Sequence, residues 1–294
     1  MASSNPSDLF SVKGMVVVIT GGATGIGLMM TQAFATGGAA KIYVVGRRKE
    51  KLDEAVKIAP EIIVPLVGDV TSKESLWQLA EQIEKETGYI NLLIPNSGTM
   101  GPPVGAKTTE VSVAEYRKKC FAQNVEDWNT TFATNSTAVA FTTFAFLELL
   151  DAGNKKGNCP GRKSQVLVTT SIAGYSRLSS AIGAYPPSKA AATHLIKCLA
   201  GALVPYEIRV NGIAPGLFPS DLAAALIKSL GADAEADPTI EGNVPRDIVP
   251  AERTGKADDM AGTVLYMASA AGAYLNGNIT VLDGGRVSQL PSTY

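Results

Sequence analysis

Short β-branched runs alternate with longer amphipathic segments from Met15 to about Leu282. Strands that alternate with helices form a parallel sheet with helices on both faces. Most of the runs are almost continuously apolar, as expected of strands that are buried on both sides. The pattern predicts an α/β fold forming one domain over residues 1–294, with a core of about residues 12–285. The predicted strands are Met15–Thr20, Lys41–Val45, Ile62–Leu66, Ile90–Ile94, Gln165–Thr170, Glu207–Gly212 and Asn278–Leu282.

The segments between these strands are either helical or irregular. Two connections, 98–126 and 151–163, are rich in Gly, Pro, Lys, Asn or Thr and are predicted to be surface loops. A third stretch, 217–253, contains a helix-like piece at Leu222–Leu230 and is predicted to be a movable lid, with ordinary loop decoration as the alternative. Helical periodicity is clearest in Ile26–Ala35, Lys73–Thr87, Trp128–Leu150, Ser188–Leu203 and Asp258–Ser269.

Composition excludes several classes of protein. With 46% apolar and 18% charged residues and a net charge of −1, the chain has ample core material and no basic patch for nucleic acid. No stretch is apolar for the roughly 20 residues that a membrane helix needs, and the polar N-terminus does not resemble a signal peptide. The three cysteines lack metal-ligand spacing and favour a reduced compartment. We expect a cytoplasmic protein without metal, membrane or nucleic-acid partners.

A glycine-rich segment, TGGATGIG at Thr20–Gly27, follows the first predicted strand and opens the first helix. Glycine permits a tight turn and a close approach of the backbone to a pyrophosphate, and the helix N-terminus offers free N–H groups to its negative charge. A lone glycine-rich turn is weak evidence, but its position after strand one predicts dinucleotide binding. The candidate contacts are Gly21, Thr24, Gly25, Ile26 and Gly27.

The end of the second strand reads Gly46-Arg47-Arg48. An NAD enzyme usually places an acidic residue here to accept a hydrogen bond from the ribose 2′-hydroxyl. Arginine instead pairs with a phosphate dianion, so Arg47 and Arg48 favour NADP(H). The alternative is that both residues only form a solvated helix start.

Polar residues also follow strands three and four. Asp69 stands after the third strand, and Asn96, Ser97 and Gly98 stand after the fourth. The carboxyl ends of parallel strands line the ligand crevice of such sheets. All four residue types are also common turn formers, so each position is open to both interpretations.

Ser171 follows the fifth strand, and Tyr185 and Lys189 stand at the start of the next helix. Residues four apart share one helix face. Of the nine tyrosines, only Tyr185 has a lysine at this spacing. Hydride delivery to a carbonyl carbon requires a proton donor for the oxygen, and a lysine charge makes a tyrosine hydroxyl a better acid or base near neutral pH. Ser171 is then expected to orient the carbonyl oxygen.

In their order and spacing these segments resemble the single-domain short-chain dehydrogenases/reductases, over roughly Val12–Gly285. The resemblance implies a Rossmann-type, doubly wound, seven-stranded parallel sheet. It also implies that Asn135 completes a catalytic tetrad by holding a water that relays protons to Lys189, which binds the nicotinamide ribose. The further cofactor contacts that it implies are Asp69 and Val70 for adenine, Asn96–Gly98, and Pro215, Gly216, Phe218 and Ser220 for the carboxamide.

The sequence departs from the family pattern in several places. Pro95 replaces the usual first Asn, Phe218 a branched aliphatic residue and Ser220 a Thr, yet no catalytic group is lost. Pro186 and Pro187 lie between Tyr185 and Lys189, which the first positions of a helix tolerate.

The combined pattern predicts an NADPH-dependent reductase of a hydrophobic ketone or aldehyde, ketoacyl or polyketide-like. An alcohol dehydrogenase or epimerase working oxidatively is one alternative, and a non-redox NADP-binding protein is another. The helix Ser188–Leu203 is apolar around most of its circumference, which predicts a homodimer or homotetramer. His194 lies on this helix and is expected to be a packing or interface residue.

Overall fold

Seven parallel strands form one sheet in the order β3-β2-β1-β4-β5-β6-β7. The computed structural model describes residues 5–102, 111–178, 182–229 and 236–294. The α/β fold predicted from the alternating pattern is confirmed, and so is the seven-stranded Rossmann arrangement that the family resemblance implies. The strands are β1 Val16–Thr20, β2 Lys41–Gly46, β3 Ile63–Val67, β4 Leu92–Ile94, β5 Gln165–Thr169, β6 Arg209–Pro215 and β7 Ile279–Leu282.

Helices cover both faces of this sheet. The fourth strand pairs with β1 on the side opposite β2, so the strand order reverses between β1 and β4. In the described ranges the α-helices are α1 Pro6–Leu9, α2 Gly25–Thr36, α3 Lys49–Val56, α4 Lys73–Glu86, α5 Val113–Phe121, α6 Val125–Phe132, α7 Ala138–Ala145, α8 Leu147–Lys156, α9 Tyr185–Ala202, α10 Ala224–Ser229, α11 Ala257–Ala268 and α12 Arg286–Gln289.

The core has two main layers, one on each face of the sheet. Val16 and Val18 of β1 belong to one layer, whereas Val17 and Ile19 belong to the other. This division follows from the twofold alternation of side chains along a strand. Because both layers are apolar, β1 has no solvated face and reads as a continuous apolar run.

The connection 98–126 was predicted to be a surface loop, which is wrong in its second half. Helix α5 lies within it and starts at a capping box, in which the Ser112 hydroxyl accepts from the Glu115 N–H and the Glu115 carboxylate accepts from the Ser112 N–H. None of the residues of α5 is buried. The helix is therefore stabilised by its cap rather than by an apolar face. Residues 103–110 lie outside the described ranges.

The predicted helix Trp128–Leu150 is interrupted, and it ends later than predicted. A π-helical turn, Ala133–Thr137, separates α6 from α7. The last part, α8, runs to Lys156 and stops where Gly157 adopts a left-handed φ of 66°. The connection 151–163 is therefore helical over its first half. A Lys155–Asp151 ion pair four residues apart spans this last turn.

The predicted lid, 217–253, has a small apolar cluster of its own. Its buried members are Leu217, Ile227, Val244 and Val249. Helix α10 within it begins at Ala224, two residues later than predicted, and residues 230–235 lie outside the described part of the chain. That this segment moves over a ligand stays a prediction.

Candidate active site

The crevice at the carboxyl ends of β1 and β4 is built around the glycine-rich turn. Gly21 and Gly25 have left-handed φ angles of 66° and 52°. A Cβ on Gly27 would lie 2.1 Å from the Gly21 carbonyl oxygen, so only glycine fits there. The Thr24 side chain stands at the N-cap of α2 and makes no capping hydrogen bond. The first N–H groups of the helix are thus available to an anion, as a pyrophosphate requires.

Asn96 joins this turn to the end of β4. Its side-chain amide donates to the carbonyl oxygens of Thr20 at 3.0 Å and Gly21 at 3.3 Å. In return, the Thr20 hydroxyl accepts from the main-chain N–H groups of Asn96 and Ser97, at 3.0 and 3.2 Å. Two segments about 76 residues apart are thereby fixed to each other. Thr20 was not among the predicted site residues, although it ends the first strand and starts the glycine-rich motif.

The other side of the crevice begins where β2 ends. Arg47 and Arg48 are both exposed there, and Arg48 is the N-cap residue of α3. Hydrogen bonds from Thr71 hold the pKa of Asp69 below its usual value, with a smaller contribution from the positive charge of Arg47. Val70 beside it is 9% exposed. Arg47 and Asp69 thus come from two neighbouring strand ends and lie close enough for their charges to interact, whereas Val70 belongs to the core.

The segment after β6 closes the crevice near the start of α2. A Cβ on Gly216 would lie 2.7 Å from the Cβ of Asp283, and one on Gly25 would lie 3.0 Å from the Cβ of Ser220. The Phe218 ring is 2% exposed and belongs to the core, where it packs against Gly255. Of Phe218, only the main chain is therefore free to contact a cofactor.

Ser171, Tyr185 and Lys189 are brought to the crevice by β5 and α9. Ser171 follows β5, and its hydroxyl accepts from the Ala173 N–H at 3.1 Å. Tyr185 begins α9, with the two prolines at the first positions as predicted. The Lys189 Nζ donates to the Thr169 carbonyl oxygen at 3.0 Å and lies 5.9 Å from the centre of the Tyr185 ring.

Burial shifts the titration of both groups toward their neutral forms. It lowers the pKa of Lys189 from 10.5 to about 8. It also raises the pKa of the Tyr185 hydroxyl, while a hydrogen bond with Ser171 opposes this rise. An ammonium placed close to a phenol favours the phenolate form. The Lys189 ammonium lies over the Tyr185 ring, which places a positive charge near the phenol.

Asn135 lies in the π-helical turn, next to the same lysine. Its Oδ1 accepts from the Thr99 N–H at 2.9 Å, and its Nδ2 donates to the Thr99 carbonyl at 2.8 Å and to the Ser188 hydroxyl at 3.0 Å. A Cβ on Gly98 would lie 3.3 Å from the Asn135 Oδ1 and 3.6 Å from the Lys189 Nζ. Asn135, Gly98 and Lys189 therefore meet at one point. The sequence did not indicate Thr99 and Ser188, because their role is to hold the Asn135 side chain by hydrogen bonds.

A groove of about 480 Å³ adjoins the first residues of α9, and neither Tyr185 nor Ser171 is among the described residues that line it. One of its walls, Tyr175–Arg177, is hydrogen-bonded to the C-terminal segment. The Arg177 N–H donates to the Pro291 carbonyl at 2.7 Å, and the Thr293 N–H donates to the Tyr175 carbonyl at 2.8 Å. The described residues that line the groove are Trp128, Ala173, Gly174, Ser176, Arg177, Leu178, Ile182, Gly183, Pro186, Pro187 and Ala190. The surface of the groove that these residues form is mostly apolar.

The family model described as short chain dehydrogenase matches residues 15–230. The chain belongs to the short-chain dehydrogenase family. As a short-chain dehydrogenase it is an oxidoreductase that acts on CH–OH or C=O groups of small molecules and uses a nicotinamide cofactor. The glycine turn and the free start of α2 fit the pyrophosphate of such a cofactor. No helix in the described ranges combines the length and apolar character needed to cross a bilayer.

Similar proteins extend over almost the whole chain. The short-chain dehydrogenase/reductase PhomF of Diaporthe leptostromiformis is 45% identical over 98% of this chain and 96% of its own length. The rhamnolipids biosynthesis 3-oxoacyl-[acyl-carrier-protein] reductase of Pseudomonas aeruginosa is 31% identical over 94% of this chain and 97% of its own. The solved Pseudomonas aeruginosa RhlG/NADP active-site complex has a TM-score of 0.77 and 28% identity, and covers 95% of this chain and 99% of that one.

Proposed function

We propose that this short-chain dehydrogenase reduces a ketone or aldehyde with NADPH. The observation that carries the proposal is the Lys189 ammonium, which is 4% exposed and 5.9 Å from the Tyr185 ring centre. Among the described residues no carboxylate contributes to the pKa of Lys189, and its only shift comes from burial. A buried cation without a counter-ion is costly and is typical of a functional site.

The chain's own residues would carry out the proton chemistry. A bound NADPH supplies the hydride. The Ser171 hydroxyl donates a hydrogen bond to the carbonyl oxygen and orients it. The Tyr185 O–H bond breaks as an O–H bond forms on that oxygen, and the Lys189 charge stabilises the phenolate that is left. The Thr169 carbonyl holds the Lys189 Nζ in place, and Asn135 is proposed to hold a relay water that returns a proton through Lys189.

The preference for NADPH rests on the end of β2. Arg47 and Arg48 are exposed at the position where an acidic residue would select NAD. The 28% identical RhlG protein of Pseudomonas aeruginosa was solved as a complex with NADP, which supports the same choice. The cofactor contacts that we propose are Gly21, Thr24, Gly25, Ile26, Gly27, Arg47, Arg48, Asp69, Val70, Asn96, Ser97, Gly98, Tyr185, Lys189, Pro215, Gly216, Phe218 and Ser220.

Replacing Arg47 and Arg48 together by Gln should lower the NADPH-to-NADH ratio of kcat/KM by about 10–100-fold, because hydrogen bonds to a charged phosphate are lost. Steady-state kinetics with each cofactor measures this ratio. Lys57→Gln, at the exposed far end of α3, is the control and should leave the ratio unchanged. A double variant with the wild-type ratio would contradict the assignment of the 2′-phosphate to these arginines.

The kcat/KM for NADPH should fall as the pH rises through about 8. Lys189 has its pKa lowered to about 8, so it is charged below that pH and neutral above it. The active form carries the charge, hence the loss occurs on the alkaline side, and kcat/KM reports the groups of the free enzyme. Lys189→Met should retain only a residual rate, and that rate should not fall over this pH range. Lys197→Met, at an exposed position of the same helix, should show the same fall as the wild type. A flat profile between about pH 7 and 9.5 would contradict the role of Lys189.

The proposed substrate is a hydrophobic carbonyl compound, ketoacyl or polyketide-like. Support comes from the mostly apolar groove at the start of α9, which Pro186 helps to line, and from the relative named a 3-oxoacyl-[acyl-carrier-protein] reductase. Turnover of NADPH over a panel of aromatic ketones, β-ketoacyl thioesters and sugars tests this class. Failure on every member, with NADPH bound, would favour the non-redox alternative.

We also propose self-association into a homodimer or homotetramer through α9. Its exposed residues include Pro187, Ala191, His194 and Cys198, which are spaced three to four apart and form one uncharged stripe. Phe144 on α7 is 50% exposed. Uncharged stripes of this kind are typical of faces that a second copy covers.

A further inference from the structure

A second polar site lies at the opposite edge of the sheet from the crevice. The N-terminal ends of β5 and β6 border a void of about 20 Å³. A void needs roughly 10–15 Å³ to hold a water molecule, so this one has room for a single particle of that size. Its lining includes Cys159, Arg162, Ser164, Gln165 and Arg209.

Three buried side-chain atoms of this lining have no hydrogen-bond partner among the described residues. They are the Arg162 Nε, the Arg209 Nε and the Ser164 Oγ. Ser164 itself is 4% exposed. Because buried polar groups are almost always bonded, three such atoms around one void indicate a common partner.

The neighbouring oxygen acceptors do not supply that partner, although the Arg162 guanidinium lies against the Cys159 thiol and opposes the rise in its pKa that burial causes. The Arg209 Nη1 already donates to the Gln165 Oε1 at 2.7 Å and to the Gly272 and Leu275 carbonyls, both at 3.0 Å. The Gln165 Oε1 accepts a further hydrogen bond from Asn211 at 2.8 Å. The guanidinium of Arg209 is therefore held in position, and its Nε–H is the donor left over.

The charge balance at the void is positive. Burial and, to a smaller extent, the like charge of Arg162 lower the pKa of Arg209 to about 10, so the two guanidinium groups are close. None of the described residues that line the void is acidic. The carboxylate of Glu207 is bonded to Lys163 at 2.7 Å. A neutral water could accept hydrogen bonds here but would leave both charges uncompensated.

We propose that this void binds one monatomic anion, chloride, held by the Nε–H groups of Arg162 and Arg209 and by the Ser164 hydroxyl. Polyatomic anions such as phosphate or acetate exceed the space available. The bound anion ties the Arg162 loop to the first residues of β5 and β6. It is a structural site, remote from the crevice, and it does not depend on the proposed reaction.

Thermal unfolding in sodium chloride, compared with equal concentrations of sodium gluconate, tests the proposal in solution. Gluconate is too large for the void and matches the ionic strength. We expect a saturable rise in Tm of roughly 2–4 °C in chloride. Arg162→Gln should lose the response, whereas Arg246→Gln, whose side chain is 76% exposed, should keep it. An identical response in wild type and Arg162→Gln would overturn the proposal.

Crystals of the wild-type protein grown in sodium bromide give a direct readout that needs no variant. The expected result is an anomalous peak between the Arg162 Nε and the Arg209 Nε. Density for a water without an anomalous signal at that point would overturn the proposal, even if Arg162→Gln failed to fold.

Discussion

Tyr185→Phe should lower kcat for carbonyl reduction by about 10²–10⁴-fold, the usual contribution of a positioned proton donor, while NADPH binding stays within about twofold of wild type. Phenylalanine keeps the ring beside Lys189 and removes only the hydroxyl. The measurements are steady-state turnover with a ketone that the wild-type enzyme reduces, and NADPH titration by fluorescence.

The matched control for this variant is Tyr206→Phe. Tyr206 is 59% exposed and lies beyond the C-terminal end of α9, so its hydroxyl has no access to the crevice. It should leave kcat unchanged. If Tyr185→Phe also left kcat unchanged, Tyr185 could not be the proton donor, and water or another side chain would have to protonate the carbonyl oxygen.

Gly27→Ala should weaken NADPH binding by more than about 100-fold, which corresponds to roughly 2.7 kcal/mol. The added Cβ would lie 2.1 Å from the Gly21 carbonyl oxygen and 2.6 Å from the Asn96 Nδ2. These two groups belong to the contacts that hold the phosphate turn against β4, so the turn must move. NADPH titration gives the affinity, and thermal unfolding without cofactor gives the accompanying loss of stability.

Gly262→Ala is the control for this substitution. Gly262 also lies within a helix, α11, and a Cβ there would meet nothing within 4 Å. Alanine in an unobstructed helix position usually stabilises a protein by about 0.4–1 kcal/mol. The Gly262→Ala variant should bind NADPH with the affinity of the wild type, because the substitution leaves the glycine-rich turn unchanged. An unchanged affinity in Gly27→Ala would mean that the turn does not approach the cofactor as closely as proposed.

The strands were predictable because their apolar runs are buried on both faces. The helices were harder to predict where tertiary contacts or caps replace an apolar stripe. Helix α3 buries only Leu52 and Ala55 and was anticipated only as an alternative interpretation of Arg47 and Arg48, and α5 buries nothing. The π-helical turn at Ala133–Thr137 leaves no periodic signal over five residues.

In the candidate site, the residues that form motifs were predictable from the sequence, whereas the residues that hold them in place were not. Ser171, Tyr185 and Lys189 could be proposed from spacing and chemistry. Thr20 and Thr99 could not, because their contacts join segments 76 and 36 residues apart along the chain. A sequence motif marks residues that touch a ligand, whereas these threonines only hold such residues in place.

The attachment of Tyr175–Arg177 to Pro291–Thr293 has a consequence for how the groove can vary. Ser176 and Arg177, which line the groove, are paired with the segment Pro291–Thr293. Changes at Ser292 or Tyr294 can reshape this wall without touching the sheet or the glycine turn. If the groove binds the substrate as proposed, substitutions in the C-terminal segment can change the substrate range without altering Ser171, Tyr185 or Lys189.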